Sequence, residues 1–179
     1  DPYLEAASQA LARGDWAAAE EAFAHGLTDS PRDPRLHGGL ALVALEEQDW
    51  QRAVAHGRQA VTLGAGSAEV HNNLGWALYQ LSRFDESRRH LEMGIFLNPK
   101  FCLAYNNLAR LNAHLGETKL AMEHFGKAIK LCPQYAEPHY FLGRIYAGLS
   151  SPTKARQHFS RCYDLGPETP YGRRCGEAL

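Results

Sequence analysis

The chain has 179 residues, of which 45% are hydrophobic and 22% are charged, and both values lie in the range of folded globular proteins. Its net charge of −1, with no run of Lys or Arg longer than a pair, argues against a nucleic-acid partner. No stretch of about 18 or more apolar residues occurs, so no segment is predicted to span a membrane.

The first residues, "DPYLEAASQAL", have neither the basic nor the apolar region of a signal peptide. We therefore predict no signal peptide within the chain. A leader that has been removed, or a lipid anchor upstream of residue 1, is left open.

A period of 34 residues runs through the chain. Proline recurs at this interval, with Ala65 in place of one proline: Pro31, Pro99, Pro133 and Pro167. Alanine, leucine and phenylalanine recur in the same way: Ala19, Ala53, Ala121 and Ala155; Leu40, Leu74, Leu108 and Leu142; Phe23, Phe125 and Phe159. The period divides the chain into five repeats, at about 1–33, 34–67, 68–101, 102–135 and 136–169.

Each repeat is predicted to form two amphipathic helices joined by a tight turn. In the fourth repeat, "LAYNNLARLNAHL" is followed by "GET" and "KLAMEHFGKAIKL", with apolar residues three and four apart in both segments. Asp15, Asp49 and Ser151 are predicted N-caps of the second helices. The recurring prolines should end these helices, because proline cannot continue the hydrogen-bond ladder.

These features resemble the tetratricopeptide repeat (TPR) family, including the Leu-Gly pairs at Leu74-Gly75 and Leu142-Gly143. The resemblance implies an all-α fold, an α-α superhelix of five helix-turn-helix repeats in a single domain over 1–179. Thr169 and Pro170 open a further segment, 169–179, which is predicted to be a capping helix that covers the last repeat. The alternative is that this segment is a truncated sixth repeat.

Twin asparagines occur in the first helices of repeats three and four. They are Asn72 and Asn73 in "HNNLGWALYQL", and Asn106 and Asn107 in "YNNLARLNAHL". In the TPR family the first helices line a concave groove, so the resemblance implies that these amides hold a partner's backbone. The alternative is that they are solvated or satisfy neighbouring loops.

Aromatic and basic residues accompany the asparagines in repeats three to five. Trp76, Tyr79, Arg110, Tyr140 and Arg144 are predicted to line the same groove. Such a surface would suit an extended or helical segment of an acidic or amphipathic protein partner. The alternative is ordinary packing for Trp76 and solvent exposure for the arginines.

The carboxylate clamp, a specialised groove of some family members, is not predicted here, because it needs lysines in the first helices. The positions where those lysines would be sought hold other residues: Leu4, Gly38, Glu69, Asn72, Leu103 and Asn106.

Histidines also recur at 34 residues: His56, His90, His124 and His158. Successive repeats are about 10 Å apart, too far for one column to share a metal ion. We therefore predict no metal site, no cofactor and a solvated convex face for this column. His37, His71 and His139 are expected to pack between the helices of their pairs. No motif of a catalytic site occurs, so we predict no enzymatic activity.

The four cysteines all lie in the second half. Cys102 begins and Cys132 ends the helix pair of repeat four, so they lie at the same end of that pair, whereas Cys162 and Cys175 lie in helices expected to pack together. Two disulfides, 102–132 and 162–175, could form if the Cα atoms come within about 7 Å. Four reduced thiols are the alternative.

The function predicted is that of a non-enzymatic scaffold that binds a partner protein to promote assembly of a complex. In size and repeat number the chain resembles pilotin-type lipoproteins that help to assemble the outer-membrane secretin of type IV pili. The alternatives are the substrate-recruiting array of a larger enzyme, such as a protein glycosyltransferase, and a cytosolic adaptor. A periplasmic or outer-membrane location and a cytoplasmic one stay open, as does the oligomeric state.

Overall fold

The computed structural model describes residues 1–179, and all of its regular elements are α-helices. In chain order they are α1 (Pro2–Ala12), α2 (Trp16–Asp29), α3 (Pro34–Glu46), α4 (Trp50–Thr62), α5 (Ala68–Gln80), α6 (Phe84–Leu97), α7 (Cys102–His114), α8 (Thr118–Leu131), α9 (Ala136–Gly148), α10 (Pro152–Leu165) and α11 (Pro170–Glu177). None of them is long and apolar enough to cross a membrane.

Helices α1 to α10 form five pairs, one in each predicted repeat, in the packing of a TPR solenoid. In every repeat the turn between the two helices places one residue in the left-handed region, and these five residues are 34 positions apart: Gly14 (φ 71°), Gln48 (59°), Ser82 (59°), Gly116 (77°) and Ser150 (53°). Glycine adopts this conformation without the steric cost that a Cβ imposes, so repeats one and four have the less strained turns.

Small residues let the paired helices approach each other. The alanine column is buried, and Ser87 takes the same place in repeat three, where its hydroxyl donates to the Gly75 carbonyl oxygen at 2.7 Å. A Cβ on Gly75 would lie 2.7 Å from Leu91 Cγ, closer than side chains tolerate. The Leu-Gly pair of the sequence pattern therefore marks a contact between the two helices of a repeat.

The helix ends largely follow the predicted signals. Each recurring proline lies two residues beyond the last residue of a second helix. The Asp15 and Asp49 carboxylates accept from the third backbone N–H of their helices, and Thr169 caps α11 in the same way. Ser151 occupies the predicted N-cap position of α10, but its hydroxyl makes no capping hydrogen bond. Pro152, whose fixed φ suits a first helical position, opens α10 instead.

The chain divides into two compact units. The N-terminal unit, Asp1–Pro99, contains α1 to α6, and the C-terminal unit, Lys100–Leu179, contains α7 to α11. The N-terminal core is aliphatic around Phe23, whereas Phe125 and Phe159 centre the C-terminal cores. Helix α11 packs on α9 and α10, as expected of a capping helix. A single domain over 1–179 stays a prediction.

Candidate functional site

The twin asparagines of the N-terminal unit divide between the interior and the surface. Asn72 is 5% exposed, and its amide nitrogen lies 3.3 Å from the Asn73 Oδ1 that accepts from it, whereas Asn73 is half-buried. On the same helix the rings of Trp76 and Tyr79 stack with centroids 5.1 Å apart. Asn73, Trp76 and Tyr79 therefore remain partly accessible on α5, while Asn72 belongs to the packing.

The second pair of asparagines divides in the same way. Asn106 is 0% exposed, and its amide nitrogen donates to the Tyr135 hydroxyl at 3.1 Å, whereas Asn107 is half-buried. The Asn106 Oδ1 atom is buried without a hydrogen-bond partner. Asn72 and Asn106, predicted as groove residues, thus lie in the interior, because successive helical positions point about 100° apart.

Glu137 joins three helices of the C-terminal unit. Its Oε1 accepts from Arg110 Nη1 at 2.7 Å and from the Tyr171 hydroxyl at 3.0 Å, and its Oε2 accepts from the Tyr135 hydroxyl at 2.8 Å. Burial, reinforced by the Glu137 charge, raises the pKa of Tyr135, and the same causes raise that of Tyr171 to about 12. The network fixes α7, α9 and α11 side by side.

Arginines of these three helices lie over aromatic rings of α9 and α11. Arg110 lies 5.1 Å from the centroid of Phe141, Arg144 lies 5.8 Å from Tyr140, and Arg174 lies 5.7 Å from Tyr171. Tyr171 in turn contacts both Tyr140 and Phe141. We call these six residues the arginine–aromatic cluster. Arg144 and Arg174 are exposed, so the cluster presents positive charge on flat apolar rings.

Two pairs of cysteines in the C-terminal unit lie at disulfide distance. The sulfur atoms of Cys102 and Cys132 are 2.02 Å apart, those of Cys162 and Cys175 are 2.11 Å apart, and both pairs have a Cα separation of 6.1 Å. These are the pairings predicted from the sequence. The first joins the ends of the α7–α8 pair, and the second fixes α11 on α10.

The prediction that the histidines recurring at 34 residues lie on a solvated face was wrong. His56, His90 and His158 are half-buried, and each contacts a histidine of the first helix in its own repeat, at His37, His71 and His139 respectively. His124 lies against Tyr105 and the Asn112 amide. No group of three or more His, Cys, Asp or Glu side chains is arranged to hold a metal ion.

Comparisons with known proteins agree with this architecture. Models described as "Tetratricopeptide repeat" match residues 4–68 and 68–95, and one described as "TPR repeat" matches 111–150. The chain belongs to the tetratricopeptide repeat family. No curated protein sequence matches it.

Solved structures resemble this TPR chain in fold. PilW, described as a widely conserved type IV pilus biogenesis factor, is 20% identical and has a TM-score of 0.84 over 99% of this chain and 84% of its own. PilF of Pseudomonas aeruginosa is 22% identical and has a TM-score of 0.82 over 99% of this chain and 83% of its own. YrrB, described as a TPR protein with an unusual peptide-binding site, is 18% identical and has a TM-score of 0.73 over 99% of this chain and 91% of its own. At these identities the likeness shows the fold alone.

Four residues of this site were not predicted from the sequence: Tyr135, Glu137, Phe141 and Tyr171. Tyr171 lies 34 positions after Glu137, so the two occupy one column of the repeat, and they bond across neighbouring first helices. A carboxylate followed one period later by a hydroxyl was therefore the available signal. Likeness of residue type within a column does not reveal a pair of unlike residues such as this one.

Proposed function

We propose that this TPR chain is a non-enzymatic scaffold whose arginine–aromatic cluster binds an acidic or amphipathic segment of a partner protein. The observation that carries the proposal is the exposed stacking of Arg144 on Tyr140 and of Arg174 on Tyr171. A carboxylate of the partner can pair with each guanidinium while apolar side chains lie on the rings. The C-terminal unit holds 11 Lys and Arg against 6 Asp and Glu, which favours an acidic partner.

The half-buried amides extend the proposal along the first helices of each unit. Asn107 lies in the C-terminal unit, one turn before Arg110, where its half-buried amide is a polar group beside the cluster. Asn73, with Trp76 and Tyr79, offers a comparable set in the N-terminal unit. Arg110 is held by Glu137 and Phe141, so it shapes the surface and leaves Arg144 and Arg174 as the principal contacts.

Peptide display against the purified protein tests this surface. Selection should enrich peptides rich in Asp, Glu and aromatic residues, and the double variant Arg144→Glu/Arg174→Glu should bind them at least tenfold more weakly. Lys119→Glu/Arg156→Glu, which reverses two exposed charges elsewhere in the same unit, is the matched control. Equal losses in both variants would show that only the net charge of the unit matters. No loss in either would exclude the cluster as the binding surface.

We further propose that the protein acts outside the reducing cytosol, where the Cys102–Cys132 and Cys162–Cys175 disulfides persist. The measurement is a thiol titration of natively expressed protein, denatured without reductant. No free thiols, with peptide masses mapping to these two pairs, is the expected result. Four free thiols would place the protein in the cytosol and remove this part of the proposal.

Fold likeness to PilW and PilF supports a role in assembling a type IV pilus or its outer-membrane secretin, as a pilotin-type factor. Deletion of the gene in a piliated source organism should reduce secretin multimers on a non-reducing gel. The wild-type gene should restore them, and the Arg144→Glu/Arg174→Glu gene should not. Undiminished multimers in the deletion strain would exclude the secretin role and leave peptide binding to be judged by the display experiment.

A further inference from the structure

Three of the five helix pairs share one contact that the proposed function does not use. In repeats two, three and five, a histidine of the first helix meets a histidine 19 residues later in the second helix. The Nδ1 atoms are 3.1, 2.9 and 3.0 Å apart in the pairs His37–His56, His71–His90 and His139–His158. We call these the three histidine pairs.

The ring positions show what kind of contact this is. Ring centroids are 5.4, 5.1 and 5.2 Å apart in the three pairs, so each centroid distance exceeds the nitrogen distance by about the width of one imidazole ring. The two Nδ1 atoms therefore lie between the ring centres and point at each other. This is the geometry of a hydrogen bond in which one Nδ1–H donates to the lone pair of the other Nδ1.

Repeat four shows that the fold can satisfy this position without a second histidine. Tyr105 stands where repeats two, three and five have His37, His71 and His139. The Nδ1 of His124 lies 2.9 Å from the Asn112 amide nitrogen. An amide N–H donates at any ordinary pH, whereas a histidine donates to another only while the acceptor is neutral.

Each pair can hold one extra proton, but not two. One extra proton can bind the Nε2 of the donor ring, and the Nδ1–H···Nδ1 hydrogen bond remains. With two extra protons, both Nδ1 atoms carry hydrogens and two positively charged rings face each other at about 3 Å. Burial is the main cause that lowers the pKa of His56, His71, His90 and His158, and it lowers that of His139 to about 4.

Neighbouring charges act on each pair differently. Arg52 lowers and Glu20 raises the pKa of His56, and Arg58 and Glu86 act in the same opposed way on His90. These two arginines are themselves paired with those two carboxylates. In repeat five Arg161 lowers the pKa of His139, and Tyr146 stacks on His158 without supplying a charge. Carboxylates thus moderate the first two pairs, and repeat five is the most acid-sensitive.

We propose that the three histidine pairs are acid-sensitive latches that hold together the two helices of repeats two, three and five. An unfolded histidine has a pKa near 6.5, so the latches stabilise fully above about pH 6.5. As the pH falls below that value, the unfolded chain binds protons that the native pairs exclude, and stability is lost. Repeats one and four lack the pair and keep their packing. The response is independent of any partner on the arginine–aromatic cluster.

Nitrogen-15 NMR of the imidazole rings at pH 7.5 tests the latch directly. In each pair one ring should carry its proton on Nδ1 and the other on Nε2. Six rings that all carry the proton on Nε2 would overturn the proposal, because no Nδ1 donor would exist.

Urea unfolding between pH 7 and pH 5 measures the consequence. Each proton that a native unit excludes changes its unfolding constant about tenfold per pH unit. Trp16, Trp50 and Trp76 all belong to the N-terminal unit, so tryptophan fluorescence follows that unit. For its two pairs we expect the unfolding constant to change about a hundredfold per pH unit below about pH 6.5. The C-terminal unit has one pair, so its unfolding constant should change about tenfold per pH unit. Tyrosine absorbance can follow it, because six of the eight tyrosines lie in that unit.

Substitution by the residue that repeat four uses provides the variants. His71→Tyr should reduce the change of the N-terminal unfolding constant from about a hundredfold to about tenfold per pH unit. His139→Tyr should abolish most of the pH dependence of the C-terminal unfolding constant. His71→Gln and His139→Gln replace any variant that does not fold. The control is His25→Gln, an exposed histidine outside the pairs. An unchanged pH dependence in the pair variants, or an equal change in the control, would overturn the proposal.

Discussion

The two compact units are built from the same repeat, but each is stabilised by different interactions. The N-terminal unit has no cysteine, all three tryptophans, and ion pairs such as Arg58–Glu86 between second helices of neighbouring repeats. The C-terminal unit has two disulfides, no tryptophan and the arginine–aromatic cluster. Lys and Arg number 8 against 14 Asp and Glu in the first unit, and 11 against 6 in the second. The buried columns define the helix pair, and the remaining positions are free to differ.

The largest effect should come from the buried aromatic column, and it tests whether the two units unfold separately. Phe125→Ala removes a ring that is 0% exposed and stacks on Phe141, and we expect a loss of about 3–5 kcal/mol of unfolding free energy in the C-terminal unit. Phe23→Ala is the matched change in the N-terminal unit. Urea unfolding followed by tryptophan fluorescence should respond to Phe23→Ala and far less to Phe125→Ala. Equal responses would show that the units unfold as one.

The disulfides should give the next largest difference. Cys102→Ala/Cys132→Ala removes a closed loop with a sequence separation of 30, and Cys162→Ala/Cys175→Ala one with a separation of 13. Each bond restricts the unfolded chain, so each double variant should lose about 3 kcal/mol in the C-terminal unit. Circular dichroism in urea should detect the loss. An equal shift of the tryptophan-detected midpoint would contradict the assignment of this stabilisation to one unit.

A smaller effect is expected at the Glu137 network, where the pH dependence has the opposite sign from that of the histidine pairs. The pKa of Tyr171 is raised to about 12, so its contribution is complete below the unfolded value near 10 and is lost as the pH rises from 10 to 12. Tyr171→Phe removes the hydroxyl donor to Glu137 and should cost about 1 kcal/mol at pH 8. The alkaline loss of stability should also become shallower in the variant. Tyr163→Phe, at an exposed ring of α10, is the control.

The smallest predicted effects have opposite signs at two glycines of the C-terminal unit. Gly116 has a φ of 77° in the turn of repeat four, so Gly116→Ala should destabilise by about 1 kcal/mol. Gly126 lies inside α8 with no atom within 4 Å of the position of an added Cβ, so Gly126→Ala should stabilise by up to about 1 kcal/mol. Thermal unfolding of the two variants compares them directly. The same sign for both would contradict the distinction between a turn residue with positive φ and an open position inside a helix.

The sequence was sufficient to predict the helix pairs, their ends and both cysteine pairings, because these depend on the period and on the antiparallel direction of paired helices. It did not predict the histidine pairs, since comparison at intervals of 34 aligns His56 with His90 and hides contacts at 19, such as His37–His56. It also failed to separate Asn72 from Asn73. Adjacent helical positions can differ in burial, and only the packing decides which of them faces the core.

The placement of the disulfides has a mechanical consequence. A chain pulled from its ends can release length only outside its covalent loops. The bonds at Cys102–Cys132 and Cys162–Cys175 enclose segments with sequence separations of 30 and 13, which would reach on the order of 150 Å in total at about 3.4 Å per residue if fully extended. That length is unavailable while the bonds are intact. Under tension the N-terminal unit can yield completely, whereas the C-terminal unit retains a hidden length that only reduction sets free.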